Sequence, residues 1–198
     1  MRTLLPRLAS LVQLAVLASC ASTTVDLSGN TPKGGLCQGP TEGGTVLVVW
    51  GTQWRQDQKD VLLREAAAEK GLNEYFAQSK CFPNADVHRT AGGTSLNAEQ
   101  ARQLAVASSP QISRVVVVAV RELGPVVKLL SSAAVVEGGT EVVLHITSYS
   151  SKAPDAQQDF IVHWKNGGPG VVKGVATLPQ DMKAALAAGF EPTAASAK

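Results

Sequence analysis

Arg114-Val115-Val116-Val117-Val118-Ala119-Val120 decides the fold. Five of these seven residues are valine, and no polar residue alternates with them. β-Branched side chains without polar alternation describe a strand covered on both faces. Arg121-Glu122-Leu123-Gly124-Pro125 follows and reads as its end. Thr45-Val46-Leu47-Val48-Val49-Trp50, set between Gly44 and Gly51, has the same character and reads as a first buried strand.

Helical composition separates the two. Residues 57–70 form a helix with Leu62, Ala66 and Ala67 on one side and Lys59, Arg64 and Glu65 elsewhere, and Gly71 is placed to stop it. Residues 72–77 read as another short helical piece that ends near Pro83, and 85–90 as a short strand. After Gly92-Gly93, Asn97 followed by Gln100 is a capping-box pattern, opening a helix that runs to about Ala107 and halts before Pro110.

The chain after Pro125 changes style. Residues 126–130 and 133–136 read as short strands, and Gly138-Gly139 as a turn. Residues 141–149 alternate, with Val142, Leu144 and Ile146 on one face and Val143, His145, Thr147 and Tyr149 on the other. Phe160, Val162 and Trp164 alternate with Ile161, His163 and Lys165. A polar loop over 151–158 joins them into an antiparallel hairpin. Asn166-Gly167-Gly168-Pro169-Gly170 reads as a turn cluster and 171–176 as one more strand. Pro179 opens a final helix to about Ala188, with Gly189 as its stop. The fold class is α/β (α+β): a mixed β-sheet with helices packed on it, βαβαβ early, then an antiparallel hairpin and a C-terminal helix. One globular domain is expected over 45–190, with a frayed tail at 191–198.

The chain of 198 residues is 44% hydrophobic and only 5% aromatic, so a globular domain with an aliphatic core is expected. Its net charge of +2 includes Arg2 and Arg7. Without them 16 basic residues face 16 acidic ones and the balance is zero. Such a surface offers nucleic acid or an anionic lipid surface no broad patch.

Arg2 and Arg7 precede an apolar run of 11 residues, 8–18, broken by Ser10 and Gln13. That run is too short to cross about 30 Å of hydrocarbon as a helix. It fits the apolar core of a secretion signal with small residues at its cleavage site. Leu17-Ala18-Ser19-Cys20 resembles the lipobox of bacterial lipoproteins. The resemblance implies a signal peptide over 1–19, cleavage before Cys20, a thioether lipid on Cys20 and acylation of the new amine. With about 0.8 kcal/mol for each buried methylene, two or more acyl chains form a stable anchor. Ala21, rather than Asp, implies sorting to the outer membrane, facing the periplasm. The alternative is an ordinary secretory signal in which Cys20 is incidental. The polar, Gly-rich residues 21–44 read as a tether between lipid and domain.

A protein exported in this way matures in an oxidising compartment. With Cys20 lipidated, Cys37 and Cys81 remain and are expected to pair, closing a loop whose chain-entropy contribution is at most about 4 kcal/mol. Two free or mixed-disulfide thiols are the alternative. No Cys-x-x-Cys is present, which argues against redox catalysis.

The sequence names no catalytic set and no cofactor. Gly93-Thr94-Ser95-Leu96-Asn97 lacks the second glycine of a nucleophile elbow. The glycine clusters lack the Lys-Ser/Thr of a phosphate loop. One geometric candidate remains. If Leu144, Ile146 and Ser148 face Trp164, Val162 and Phe160, His145 lies opposite His163. Directly opposed residues have Cβ atoms about 5 Å apart, near enough to bind Zn²⁺ or Cu²⁺, or to repel when protonated below about pH 6.5. No third ligand is apparent. The plainer reading is two half-exposed histidines on a strand pair.

The layout of 45–190 resembles the α/β modules of lipoproteins related to the curli-secretion lipoprotein. The amino-terminal domain of the Tol-system propeller protein and the penicillin-binding-protein activator lipoproteins are similar in arrangement. The shared features are lipobox, Gly-rich tether, buried first strand, helix, Val-rich later strand and C-terminal helix. The resemblance implies a non-catalytic binding or assembly module with an envelope protein or a further copy of itself as partner. Alternatives are a periplasmic hydrolase gathering His88, His145 or His163 with an acid, a metal-binding protein using His145 and His163, and a purely structural envelope lipoprotein.

Overall fold

The computed structural model describes residues 21–31, 35–37, 45–82, 84–90, 96–109, 111–130, 135–150 and 157–191. The signal segment with Cys20, residues 38–44 and the tail from 192 lie outside the described residues.

Six strands form one sheet: β1 (Ser22–Asn30), β2 (Thr45–Thr52), β3 (Ala85–Arg89), β4 (Ile112–Leu130), β5 (Val135–Ser150) and β6 (Gln158–Pro169). Their order is β1-β6-β5-β4-β2-β3. β3 and β4 flank β2 in parallel, and β4, β5, β6 and β1 run antiparallel in succession. Helix α1 (Val61–Gln78) follows β2, α2 (Ala98–Ser108) follows β3, and α3 (Leu178–Phe190) follows a 3-10 turn at Val175–Thr177. This is the mixed, helix-covered sheet expected from the valine-rich strands, parallel early and antiparallel late.

The two faces of the sheet are covered unequally. Val48, Trp50, Val116, Val118, Val142, Leu144, Phe160 and Val162 point toward α1 and α3 and form the main core. On the opposite face Leu47, Val49, Val115, Val117 and Tyr149 pack under α2 through Ala101 and Ala105. Both faces of β2 and of the first half of β4 are therefore buried, the physical reason for their unbroken apolar runs. α2 starts at the capping box read from Asn97 and Gln100, with both reciprocal bonds formed.

Several local expectations are corrected. Ser22–Asn30 is not part of a tether; it is the edge strand β1, bonded along its length to β6, with Val25 and Leu27 packed against the core. Its alternating Thr23, Val25 and Leu27 were masked by polar neighbours. Arg121 to Pro125 does not end β4. Arg121 bulges out of register between Val120 and Glu122, and the strand runs on to Leu130. Beyond Val120 β4 has lost its β2 neighbour, so the missing N–H of Pro125 costs no ladder bond. Arg64 of α1 donates to the Leu123 carbonyl at 2.5 Å on that freed edge.

The glycine clusters are mostly strand rather than turn; a turn forms only at the end of the second, where Val171 N donates to the Gly168 carbonyl at 3.2 Å and Gly170 has φ 72°. Gly138 and Gly139 lie within β5, and Gly167 and Gly168 lie opposite them within β6. A Cβ on Gly139 would come 2.7 Å from the α-carbon of Gly167, so the two backbones meet where a side chain cannot fit. Residues 171–174 are irregular rather than strand. Gly71 sits inside α1, which continues through 72–77, and Gly189 sits inside α3. A Cβ on Gly71 would meet the Pro179 carbonyl at 2.6 Å and Met182 Cβ at 2.7 Å. Close helix packing, not helix termination, explains it. The buried stripe of α1 is Ala68, Gly71, Leu72, Tyr75 and Phe76, while Leu62 is 81% exposed.

Cys37 and Cys81 form a disulfide across a sequence separation of 44, as expected. It ties the segment after β1 to the loop after α1. Beside it Phe82, Phe76, Tyr75 and Phe190 build an aromatic cluster with ring centroids 5.1–5.8 Å apart.

Candidate functional site

α2 covers the outer sheet face over β2 and the adjoining halves of β4 and β5, and leaves the remainder of β5, β6 and β1 half-exposed. Strand alternation carries His145, Thr147 and Glu141 of β5 and Asp159, His163 and Lys165 of β6 to this open face. The bulge at Arg121 brings a guanidinium from β4 to the same place.

The register differs from the expected one by two residues. Leu144 pairs with Val162 and Ile146 with Phe160, so His145 faces Ile161 and His163 faces Val143. The two histidines are not directly opposed. A two-residue slip leaves every side chain on its own face, so the apolar pattern cannot select between the registers. Charge does. The observed register sets Glu141 against Lys165 and Thr147 against Asp159. It also sets glycines 138 and 139 against 168 and 167. Those cross-strand matches were the signal in the sequence that periodicity missed.

Each histidine is held by a carboxylate. His145 Nε2 lies 2.5 Å from Asp159 Oδ1, and Arg121 Nη2 lies 3.0 Å from its Nδ1. A guanidinium only donates, so Nδ1 accepts and Nε2 carries the proton given to Asp159. Both ring nitrogens are thereby engaged. Thr147 Oγ1 donates to the same Asp159 oxygen at 3.2 Å. His163 Nε2 bonds Glu141, which also takes Lys165 Nζ at 3.3 Å. Burial acts to raise the Glu141 carboxyl. The bonds from His163 and Lys165 and the charge of Lys165 outweigh it and hold the group below the ordinary range. His88 lies on β3, at the far edge, beside Asp86 at 2.9 Å. The three histidines are not gathered into one pocket. Among the described residues no group of three or more His, Cys, Asp or Glu side chains is placed to hold a metal ion.

Two hollows flank this strip. A cleft of about 130 Å³ lies over Gly139 and Gly167, walled by Ser22, Thr24, Val126 and Lys165. A shallower one joins Arg55, Arg121, Glu122, Glu141 and Val143 beyond the end of β2. Its charges are mutually paired, Arg55 with Glu122 at 3.1 Å. The face is thus a lattice of satisfied polar pairs between the carboxyl end of β1 and the glycine floor.

This fold and face define a mixed-sheet α+β module. No family model matches the chain, and no curated protein matches it in sequence. Solved structures similar to it come from bacteria. The PelC dodecamer from Paraburkholderia phytofirmans is 13% identical, with a TM-score of 0.44, over 87% of this chain and 100% of that one. A homolog of the neuraminyllactose-binding hemagglutinin from Helicobacter pylori is 11% identical, with a TM-score of 0.36, over 80% of this chain and 83% of that one.

Proposed function

We propose that the protein is a lipid-anchored module of the bacterial outer membrane that faces the periplasm and works by binding or assembling with other proteins, without catalysis. Leu17-Ala18-Ser19-Cys20 supports the anchor, and the Cys37–Cys81 disulfide fits an oxidising compartment. No helix among the described residues is long and apolar enough to cross a membrane.

The observation that carries the binding role is β1. It is an edge strand of nine residues, mostly exposed, with one side paired to β6 and none of the described strands on the other. Edges of that length are ordinarily blunted by lysine, proline or a bulge. Ser22–Asn30 has a single charge, Asp26, and no proline. The opposite edge, β3, is short and bears Asp86, His88 and Arg89. β1 is the edge open to strand addition, by an envelope protein or a second copy.

A photo-crosslinking residue at Thr24 or Ser28 of the full chain, irradiated in cells, tests this. A discrete adduct from either position is expected. A monomer that forms no adduct from either would contradict the binding role.

A further inference from the structure

The free edge of β1 carries a side-chain pattern as well as free backbone groups. Its register with β6 sorts the side chains. Ser22, Thr24, Asp26 and Ser28 pair with Gly167, Lys165, His163 and Ile161 and share the open face. Thr23, Val25 and Leu27 pair with Asn166, Trp164 and Val162 and share the core face. Val25 and Leu27 pack against the main core yet stay half-buried, because none of the described strands lies beyond them. The usable edge ends near Ser28. Gly29 has φ 104° and its carbonyl accepts from Thr31 N at 3.0 Å, which turns the chain away. Ser22 to Ser28 then offers an edge about 23 Å long, at about 3.3 Å per residue.

Asp26 is exposed, and among the described residues it has no hydrogen-bond or ion-pair partner. The nearest cations in register are committed elsewhere. His163, directly across from Asp26, and Lys165, two positions along β6, both bond Glu141. Asp159 of the same face is paired with His145 and Thr147. Asp26 is therefore an uncompensated charge on a free edge, set between two half-covered apolar residues that point the other way. A strand laid along β1 would place one residue across from Asp26 on the open face. Its two neighbours would fall across from Val25 and Leu27 on the core face. Opposite charges directly across two strands stabilise the pair, and like charges destabilise it.

We infer that this edge receives an extended segment of another protein in which a lysine or arginine stands across from Asp26, between two apolar residues that cover Val25 and Leu27. This rests on the edge-binding reading of β1 and names the chemistry of its partner. A second copy of β1 does not fit. The strand has no cation of its own. Antiparallel pairing of two β1 strands sets Asp26 against Asp26, and a two-residue slip leaves it across from Thr24 or Ser28. The charge selects partner and register together, as Glu141 and Lys165 do between β5 and β6. The apolar neighbours add burial, since a strand beyond β1 completes the cover over Val25 and Leu27.

The test uses the full-length protein in detergent micelles and a dye-labelled peptide, Thr-Val-Thr-Val-Lys-Val-Thr-Val-Thr, capped at both ends. The peptide reads the same in both directions, so parallel and antiparallel docking present the same side chains. A second peptide has glutamate in place of the lysine. Fluorescence anisotropy is expected to show the lysine peptide bound about five-fold more tightly than the glutamate one. The preference is expected to reverse in Asp26→Lys and to vanish in Asp26→Asn. Slowed hydrogen exchange at the β1 amides places the peptide on the edge. Equal binding of the two peptides to wild type would overturn the inference and leave strand addition standing. Concentration-dependent self-association that excludes the peptide would do the same, with a second copy as the occupant. Binding of neither peptide would make Asp26 a guard against strand addition and overturn the inference, and crosslinks from Thr24 in cells decide separately whether the edge reading falls with it.

Discussion

Glu141 sits where burial and two cationic partners pull its proton affinity in opposite directions, and the partners win. Its carboxyl is held below the ordinary value of 4.5 in the folded chain. The folded state then binds fewer protons than the unfolded one in that range, so the stabilisation is present above the unfolded value and is lost as pH falls through the folded one. Glu65 acts with the same sign, chiefly through the hydrogen bond from Arg89. Urea midpoints measured from about pH 6 down to about pH 3 are expected to fall, and Glu141→Gln to fall less steeply. A Glu141→Gln slope equal to wild type would contradict this role. Asp181 is a second informative residue. It is 6% exposed and takes bonds from Lys173 Nζ at 2.8 Å and Thr177 Oγ1 at 3.0 Å. Lys173 also lies 5.7 Å over the Trp164 ring. Lys173→Met leaves the buried carboxylate short of its charged donor and is expected to cost about 1–3 kcal/mol by chemical denaturation.

At the scale of elements, Gly71 separates two effects of opposite sign. Replacing a mid-helix glycine by alanine ordinarily gains about 1 kcal/mol of helix propensity. Here the new methyl would meet Pro179 and Met182 of α3 at under 3 Å. Overpacking of that kind costs about 1–3 kcal/mol, so Gly71→Ala is expected to lower the melting temperature rather than raise it. The same glycine shows what could be read from the sequence and what could not. The buried strands around Val48 and Val117, the capped helix at Asn97 and the last helix after Pro179 were legible, because burial and capping leave local patterns. The function of a glycine was not, because Gly71, Gly139 and Gly167 look locally like stops and turns and are explained only by a distant backbone. The hairpin register was half legible: its faces were right, and its pairing needed Glu141 and Lys165 to be matched across the strands. β1 was missed because its partner lies more than 100 residues away in the chain. The disulfide closes the segment between β1 and β2 onto α1's exit loop. A Cys37→Ser, Cys81→Ser double variant is expected to lose about 2–4 kcal/mol.

At the scale of the whole molecule, the strand beginning at Ser22 changes what a lipid on Cys20 means. A tether from 21 to 44 would let the domain tumble beneath the membrane. With β1 starting two residues after Cys20, the proposed anchor would be joined to the sheet by a short connection rather than by a long tether. If Arg2 and Arg7 are removed with a signal peptide, 16 basic residues face 16 acidic ones, and surface charge would add little to membrane attachment. Everything in this arrangement depends on the modification of Cys20. The intact mass of the full protein purified from bacterial membranes measures it directly. The expected result is a mature chain that begins at Cys20 and carries a diacylglyceryl group and an amide-linked acyl chain. A chain cleaved elsewhere, or one that begins at Cys20 with an unmodified thiol, would contradict it.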